Sequence, residues 1–121
     1  MTEFPPPLGH YQQYTVAQGQ TVHIAGQVSV DATGTVCGIN NPTTQATQVA
    51  NNLTAVLAEA GLAPSAVVSV RVYAINEDAA GAWAEIRKTL FPTNPPASTL
   101  VYVAGLAKPE FLLEVEAVAS A

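Results

Sequence analysis

The stretch from residue 41 to residue 75 decides the fold, and it reads NPTTQATQVANNLTAVLAEAGLAPSAVVSVRVYAI. Its first half predicts a helix, because Asn41 can cap the N-terminus, Pro42 suits the first helical position, and apolar residues then recur at helical spacing. Gly61 is a natural stop, which gives a helix of about 18–20 residues, or roughly 28 Å. The second half, Ala66–Ile75, is rich in valine and predicts a strand.

Both elements have a predicted division into faces. The polar face of the helix is expected to meet solvent, and it carries Gln45, Gln48, Asn51, Asn52 and Glu59. Alternation along the strand places one set of residues toward the helices, namely Val68, Val70, Val72 and Ala74. The opposite face then carries Val67, Ser69, Arg71, Tyr73 and Ile75.

The rest of the chain continues this alternation of helix and strand. Four further segments are predicted as strands, and they are Tyr11–Ala17, Thr21–Val30, Ser98–Ala104 and Glu110–Ala119. The first two are expected to form a hairpin, and a short strand at Thr35–Cys37 and a helix at Asp78–Leu90 complete the set. The prediction is an α+β single domain over residues 1–121, with two helices on one face of a mixed sheet and an extended, proline-rich lead-in at 1–9.

The other face of the sheet predicts self-association. If Val67, Tyr73 and Ile75 face outward, an uncovered sheet exposes more apolar surface than monomers usually tolerate. Charged residues make up only 11% of the chain, so solvated side chains do little to mask such a surface. A closed cyclic assembly with the sheets turned inward satisfies this requirement.

Composition narrows the classes of function. Four basic residues and nine acidic ones give a net charge of −5, which argues against a nucleic-acid partner because phosphate neutralisation supplies most of that affinity. No apolar run is long enough to span a bilayer, and the first ten residues do not resemble a secretory signal. One cysteine, Cys37, and the lack of a Cys/His cluster predict no internal disulfide, no metal and a cytoplasmic setting.

Five short motifs in a fixed order resemble the Rid family, also called YjgF-type or L-PSP endoribonuclease-like proteins. They are Pro7–Tyr11 (PLGHY), Ala25–Val28 (AGQV), Ala58–Leu62 (AEAGL), Pro95–Thr99 (PPAST) and Glu114–Ala119 (EVEAVA). The resemblance implies a chorismate-mutase-like fold assembled as a homotrimer, with a cleft for a small-molecule metabolite between neighbouring subunits. It also implies hydrolysis of reactive enamines and imines to 2-keto acids and ammonia, without a cofactor.

The resemblance assigns roles to individual residues. Glu114 aligns with the catalytic glutamate that helps to place the hydrolytic water. Tyr11 aligns with a cleft tyrosine, and Gly26 lies where the family's backbone approaches the substrate. The family's arginine, which clamps the substrate carboxylate, aligns with Ser98, and an asparagine of the second helix aligns with Ala84.

The exchange of arginine for Ser98 is the main departure from the family pattern. A guanidinium makes a bidentate, charge-assisted pair with a carboxylate, whereas serine offers one neutral hydroxyl. The loss corresponds to roughly 10- to 200-fold in affinity for a carboxylate. Lys108 and Arg71 are the replacement cations considered. Leu100, which alternates with Ser98, is counted with the substrate-binding residues.

Histidine introduces a second departure, because His10 stands where the family has proline. We include His10 among the substrate-binding residues, and its alternative is a hydrogen-bonded structural role.

Two functional hypotheses follow from the sequence. The first is a hydrolase of imines or enamines that has lost the usual anchor, and the second is a non-catalytic ligand-binding or regulatory trimer. A nuclease is disfavoured by the charge balance.

Overall fold

The computed structural model describes residues 5–121, so the first four residues of the predicted lead-in lie outside the described part. The strands are β1 (Thr21–Gln27), β2 (Val67–Ala74), β3 (Ala97–Tyr102) and β4 (Leu113–Ser120). The helices are α1 (Pro42–Glu59) and α2 (Glu77–Leu90), with a short 3-10 turn at Pro64–Ala66. Residues 5–9 are exposed and have no regular structure.

The sheet is mixed, with strand order β1-β4-β2-β3. The central strand β4 pairs antiparallel with both β1 and β2, while β2 and β3 are parallel and are joined through α2. The two helices pack against each other and against the same face of the sheet, where Trp83, Leu53 and Leu113 form the centre of one core. The predicted α+β class and the arrangement of two helices on one face are therefore confirmed.

Helix α1 begins where the sequence predicts. The Asn41 side chain accepts a hydrogen bond from the Thr44 amide at 3.0 Å, and Pro42 occupies the first turn. Gly61, with a φ of +78°, follows the last turn. The polar face is not entirely solvated as predicted, because Gln45 is fully buried. Its side chain binds the Gly38 and Glu110 carbonyls and the Leu112 amide.

Strand β2 differs from the simple alternation. A bulge between Val67 and Ser69 shifts its register against β4, so that Val67 turns into the core and is 5% exposed. The prediction that Val67 lies on the outer face is therefore wrong. From Val70 onward the alternation holds, with Arg71 exposed and Val72 buried.

The predicted N-terminal hairpin does not form. Residues 11–17 make one bridge, between Gln12 and Ala97 at the start of β3, and otherwise no ladder. The segment then crosses one end of the sheet, where Thr15 donates to the Val68 carbonyl at 2.5 Å and the Gln18 amide donates to the Ser120 hydroxyl at 2.7 Å. A segment that runs across the strand ends cannot join a ladder, which explains the error. We call residues 5–20 the N-terminal arm.

Three smaller predictions are also corrected. The short strand at 35–37 reduces to a single bridge between Val30 and Val36. Strand β1 ends at Gln27 and strand β4 begins at Leu113, so both are shorter than the predicted segments at these ends. Strand β4 begins late because Lys108 and Phe111 form a turn, in which the Phe111 amide donates to the Lys108 carbonyl. These differences leave the order of the main elements unchanged.

Candidate functional site

The face of the sheet opposite the helices is polar. Cross-strand partners share a face, so Glu114 on β4 lies beside Tyr73 on β2, and Glu116 lies beside Arg71. All of these side chains except the exposed Arg71 are half-buried. We call this surface the open face. The sequence expected it to be an apolar patch, and the bulge that buries Val67 removes one of the three residues on which that expectation stood.

Gly26 lies directly beneath Glu114. A Cβ built on Gly26 would come within 2.8 Å of Glu114 Cδ and 2.9 Å of its Cγ, closer than real side chains approach. Gly26 lies in the irregular region of β1 between Ile24 and Gln27, where the register against β4 shifts. The missing side chain therefore creates the space that the Glu114 carboxylate occupies. The two residues that the resemblance assigns to this region are brought into contact.

Tyr73 and Glu116 form the polar centre of the open face. The Tyr73 hydroxyl donates a short hydrogen bond to Glu116 Oε1. That hydrogen bond, with a smaller effect of burial, raises the pKa of Tyr73 above its ordinary value. A shallow cavity of about 210 Å³ lies beside them, and it is lined by His23, Ser69, Arg71, Glu116, Ala117 and Val118. Glu116 is therefore engaged by its neighbour, whereas the Glu114 side chain makes no hydrogen bond within residues 5–121.

The N-terminal arm places its functional candidates beside α2 and the start of β3. His10 Nε2 lies 2.6 Å from the Phe91 carbonyl oxygen, at the end of α2. The Gln12 amide donates to the Pro96 carbonyl at 3.2 Å, which fixes the arm against the start of β3. The Tyr11 hydroxyl accepts a hydrogen bond from the Leu8 amide at 3.1 Å. His10 thus makes a hydrogen bond to the backbone, as its alternative, structural role requires.

Ser98 does not approach Glu114 within one chain. Ser98 pairs with Val70, whose other partner is Ala117, while Glu114 lies in the row of Tyr73 and Val101. Two strand spacings and three residues along the strand separate their Cα atoms by about 14 Å. The partners of Ser98 and Leu100 are Val70 and Val72, both in the core, so these two side chains project toward the helix side. Glu114 projects from the opposite face.

Neither of the two replacement cations considered lies next to Ser98 within one chain. Arg71 pairs with Thr99, the neighbour of Ser98, and therefore lies on the opposite face of the sheet from Ser98. Lys108 is exposed in the loop between β3 and β4. Neither cation lies on the Ser98 side of β3 beside the arm.

A different arginine does lie there. The Arg87 guanidinium is 6.0 Å from the centre of the Tyr11 ring, and a Cβ built on Gly9 would be 2.7 Å from Arg87 Nη2. Burial lowers the pKa of Arg87 from its ordinary value. Sequence reasoning missed this residue, because its only local signal is a position in the last turn of α2.

Most of the large exposed apolar side chains of residues 5–121 lie at or beside one edge of the sheet. β3 is an edge strand, and Leu100, Val101 and Tyr102 are 38%, 42% and 55% exposed. Leu8, Tyr14 and Val16 of the neighbouring arm are 94%, 68% and 68% exposed. An exposed apolar edge strand is suited to association with another chain. The surface that most needs covering is therefore this edge rather than the open face.

Three further features of residues 5–121 bear on function. They contain no group of three or more His, Cys, Asp or Glu side chains that could hold a metal ion. None of the helices formed by these residues is long and apolar enough to cross a bilayer. Cys37, a free and partly buried thiol, contacts the Thr35 carbonyl oxygen at 3.6 Å.

Comparison with known proteins gives a consistent result. The family model described as Endoribonuclease L-PSP matches residues 1–121. A RutC family protein of Synechocystis sp. is 38% identical over 117 residues, covering 95% of this chain and 88% of that protein. The 2-iminobutanoate/2-iminopropanoate deaminase of Rattus norvegicus is 31% identical over 115 residues, covering 95% of this chain and 82% of the rat protein.

Solved structures agree with the sequence comparisons. A Rid family protein of unknown function from Yersinia pestis superposes with a TM-score of 0.83 at 36% identity, covering 92% of this chain and 86% of that one. RidA from an Antarctic Psychrobacter gives a TM-score of 0.78 at 29% identity, covering 97% and 93% of the two chains.

Proposed function

The chain belongs to the Endoribonuclease L-PSP family, the Rid or YjgF-type proteins, and from this premise we propose that it hydrolyses short 2-imino acids to 2-keto acids and ammonia. The observation that carries the proposal is the Glu114 carboxylate lying over Gly26. A carboxylate held at a gap in the backbone surface can hold a water molecule against a small bound substrate. The likeness to the rat 2-iminobutanoate/2-iminopropanoate deaminase supports this choice of substrate class.

The proposed reaction needs one general base and one water molecule. Glu114 takes a proton from the water as its oxygen bonds to the imine carbon, which opens the C=N double bond. The nitrogen takes up a proton from solvent as the C=N bond opens, which gives a neutral carbinolamine. Glu114 then returns its proton to that nitrogen, the C–N bond breaks to release ammonia, and loss of the hydroxyl proton to solvent leaves the 2-keto acid. Overall, one imino acid and one water give one keto acid and one ammonia.

The separation between Glu114 and Ser98 supports a site shared by two subunits. A small imino acid cannot bridge two groups about 14 Å apart on opposite faces of one sheet. The exposed apolar edge formed by Leu100, Val101 and Tyr102 is suited to contact with a second copy. We propose a homotrimer in which the arm and the β3 edge of one subunit meet Glu114 of the next.

Nuclease activity is not part of the proposal, despite the family's name. All four cations are accounted for, and they are dispersed: Arg71 is on the open face, Arg87 is beside the arm, Lys88 pairs with Glu85, and Lys108 is in a loop. Such a distribution does not form the basic stripe that a phosphate backbone requires. A cytoplasmic setting is proposed because the single thiol, Cys37, cannot form an internal disulfide.

A coupled assay tests this function. 2-Iminobutanoate is generated from threonine by a dehydratase, and release of 2-oxobutanoate is followed against the spontaneous rate. We expect the wild type to accelerate the release, and Glu114→Gln to lower that acceleration by about 10²- to 10⁴-fold. Glu116→Gln is the matched control, and it is expected to retain most of the activity because Glu116 is engaged by Tyr73.

A wild type that leaves the spontaneous rate unchanged would contradict the proposal. If such a protein still bound 2-oxobutanoate, the non-catalytic ligand-binding trimer would be the better account. Equal losses in Glu114→Gln and Glu116→Gln would contradict the assignment of Glu114 as the base.

A further inference from the structure

Within residues 5–121, Arg87 is a partly buried charge whose role the fold does not explain. Its Nε atom is buried and has no hydrogen-bond partner. Within residues 5–121 the only ion pair joins Lys88 to Glu85, so no described acidic group neutralises the Arg87 guanidinium. The Tyr11 ring gives the guanidinium a cation–π contact but no acidic partner. A partly buried charge without an acidic partner is costly, and proteins normally pair it or use it to bind a ligand.

The helix dipole does not account for this arrangement. A cation in the last turn of α2 is favourable, but that effect also operates for an exposed side chain and does not require burial. Lys88 is the neighbouring last-turn cation, and it remains exposed and paired with Glu85. Arg87 instead packs against Gly9 and Tyr11 of the arm, where burial lowers its pKa.

The surroundings of Arg87 are suited to an anion. The Tyr11 hydroxyl oxygen accepts a hydrogen bond from Leu8, and within the described chain its own O–H has no acceptor. Gly9 packs directly against the guanidinium, since a Cβ there would be 2.7 Å from Nη2, and a larger residue at position 9 would displace the charged group. The Arg87 guanidinium and the Tyr11 hydroxyl are therefore two neighbouring donors, one charged and one neutral. Both lie on the side of β3 toward which Ser98 projects.

We propose that Arg87 and Tyr11 bind the substrate carboxylate, in place of the arginine that the family carries at the position of Ser98. This inference rests on the proposed function and specifies its substrates as imino acids with a free carboxylate. A guanidinium in this corner can form a bidentate pair with the carboxylate. Arg87 on α2 thus provides the positive charge that the family carries at the position of Ser98 on β3.

Binding of the reaction product tests the inference separately from turnover. 2-Oxobutanoate and its uncharged amide, 2-oxobutanamide, are titrated against the whole protein by calorimetry. The fluorescence of Trp83 gives a second readout, because Trp83 is the only tryptophan and lies one helical turn from Arg87. The variants are Arg87→Gln and its matched control Lys88→Gln, which removes a cation from the same turn of α2.

We expect Arg87→Gln to weaken binding of 2-oxobutanoate by roughly 10- to 200-fold and to leave binding of the amide unchanged. Lys88→Gln should bind both as the wild type does. Equal affinity of wild type and Arg87→Gln for the acid would overturn the inference, as would equal losses for acid and amide. Circular dichroism of Arg87→Gln checks that the fold persists.

The two proposals fail in different ways. If the wild type hydrolyses the imine but Arg87→Gln binds the keto acid normally, the anchor is wrong and the function stands. If Arg87→Gln selectively loses the keto acid but the wild type has no hydrolase activity, the anchor stands and the function is wrong. In an active enzyme, the anchor also predicts that Arg87→Gln raises KM for the imino acid more than it lowers kcat.

Discussion

The Glu114 side chain occupies the space that a Cβ on Gly26 would take, with its Cδ 2.8 Å and its Cγ 2.9 Å from that position. Gly26 lies in β1 where the register against β4 shifts, and Glu114 lies on the open face of β4. Gly26 is therefore required by the neighbouring carboxylate rather than by its own backbone, because its φ is not in the left-handed region. A substitution at Gly26 should therefore change the rate of catalysis without changing the stability of the fold, and both can be measured.

Gly26→Ala should impair hydrolysis while leaving the fold intact. The added methyl group displaces the end of a flexible side chain, so the free energy of unfolding should stay within about 1 kcal/mol of the wild type. Misplacing the base should lower kcat by about 10- to 100-fold. Gly105→Ala is the control, since a Cβ there meets nothing within 4 Å. Unchanged kcat in Gly26→Ala would disprove the positioning role.

Stability at alkaline pH should depend on Tyr73. Its hydrogen bond to Glu116 raises its pKa in the folded chain, so Tyr73 holds its proton there to a higher pH than in the unfolded chain. The stabilisation is fully present below about pH 10 and is lost as pH rises through the raised pKa. Chemical unfolding between about pH 8 and about pH 11 should therefore show a steeper loss for the wild type than for Tyr73→Phe. Parallel curves would contradict this coupling.

An arginine at position 98 should compensate for the loss of Arg87. In the Arg87→Gln background, Ser98→Arg is expected to restore binding of 2-oxobutanoate by about tenfold or more, because position 98 projects toward the same side of β3. Thr99→Arg is the matched control, since Thr99 pairs with Arg71 and lies on the other face. Equal recovery from both substitutions would indicate a non-specific effect of charge.

Gln45 should be an important contributor to stability. Its side chain makes three hydrogen bonds, with Gly38, Glu110 and Leu112, and it is fully buried. Gln45→Met keeps the shape but leaves these backbone groups without partners, so the free energy of unfolding should fall by about 2–4 kcal/mol. Gln48→Met, which removes a single half-buried hydrogen bond to Asn52, should cost less than about 1.5 kcal/mol. Urea denaturation measures both, and a similar small loss in each would contradict the role of Gln45.

Local signals explain which parts of the fold could be predicted. The cap at Asn41 and the stop at Gly61 act within a few residues, and both α1 and the main strands were predicted correctly. The arm and Gln45 were not, because their partners lie far away in sequence: Thr15 binds Val68, and Gln45 binds Leu112. Tertiary hydrogen bonds of this kind leave no periodic trace.

The candidate site likewise contains some residues that the sequence could identify and others that it could not. Glu114 and Gly26 could be identified by resemblance, and the structure adds their contact. Arg87 carries no motif, and only its position against Tyr11 distinguishes it from Lys88. The separation of Ser98 from Glu114 depends on the order of strands, which the sequence did not predict.

The central claim is that one subunit's arm and another subunit's Glu114 form a single pocket, and mixed oligomers test it most directly. A Glu114→Gln chain and a Tyr11→Ala/Arg87→Gln chain, each weakly active alone at substrate concentrations below the KM, are refolded together in equal amounts, and imine hydrolysis is measured under those conditions. In a ring whose pockets are shared by neighbours, random mixing gives about one quarter of pockets an intact arm and an intact glutamate, so about one quarter of wild-type activity should return. If each pocket belonged to one chain, no mixture could restore it, and activity at the level of the separate variants would contradict the account.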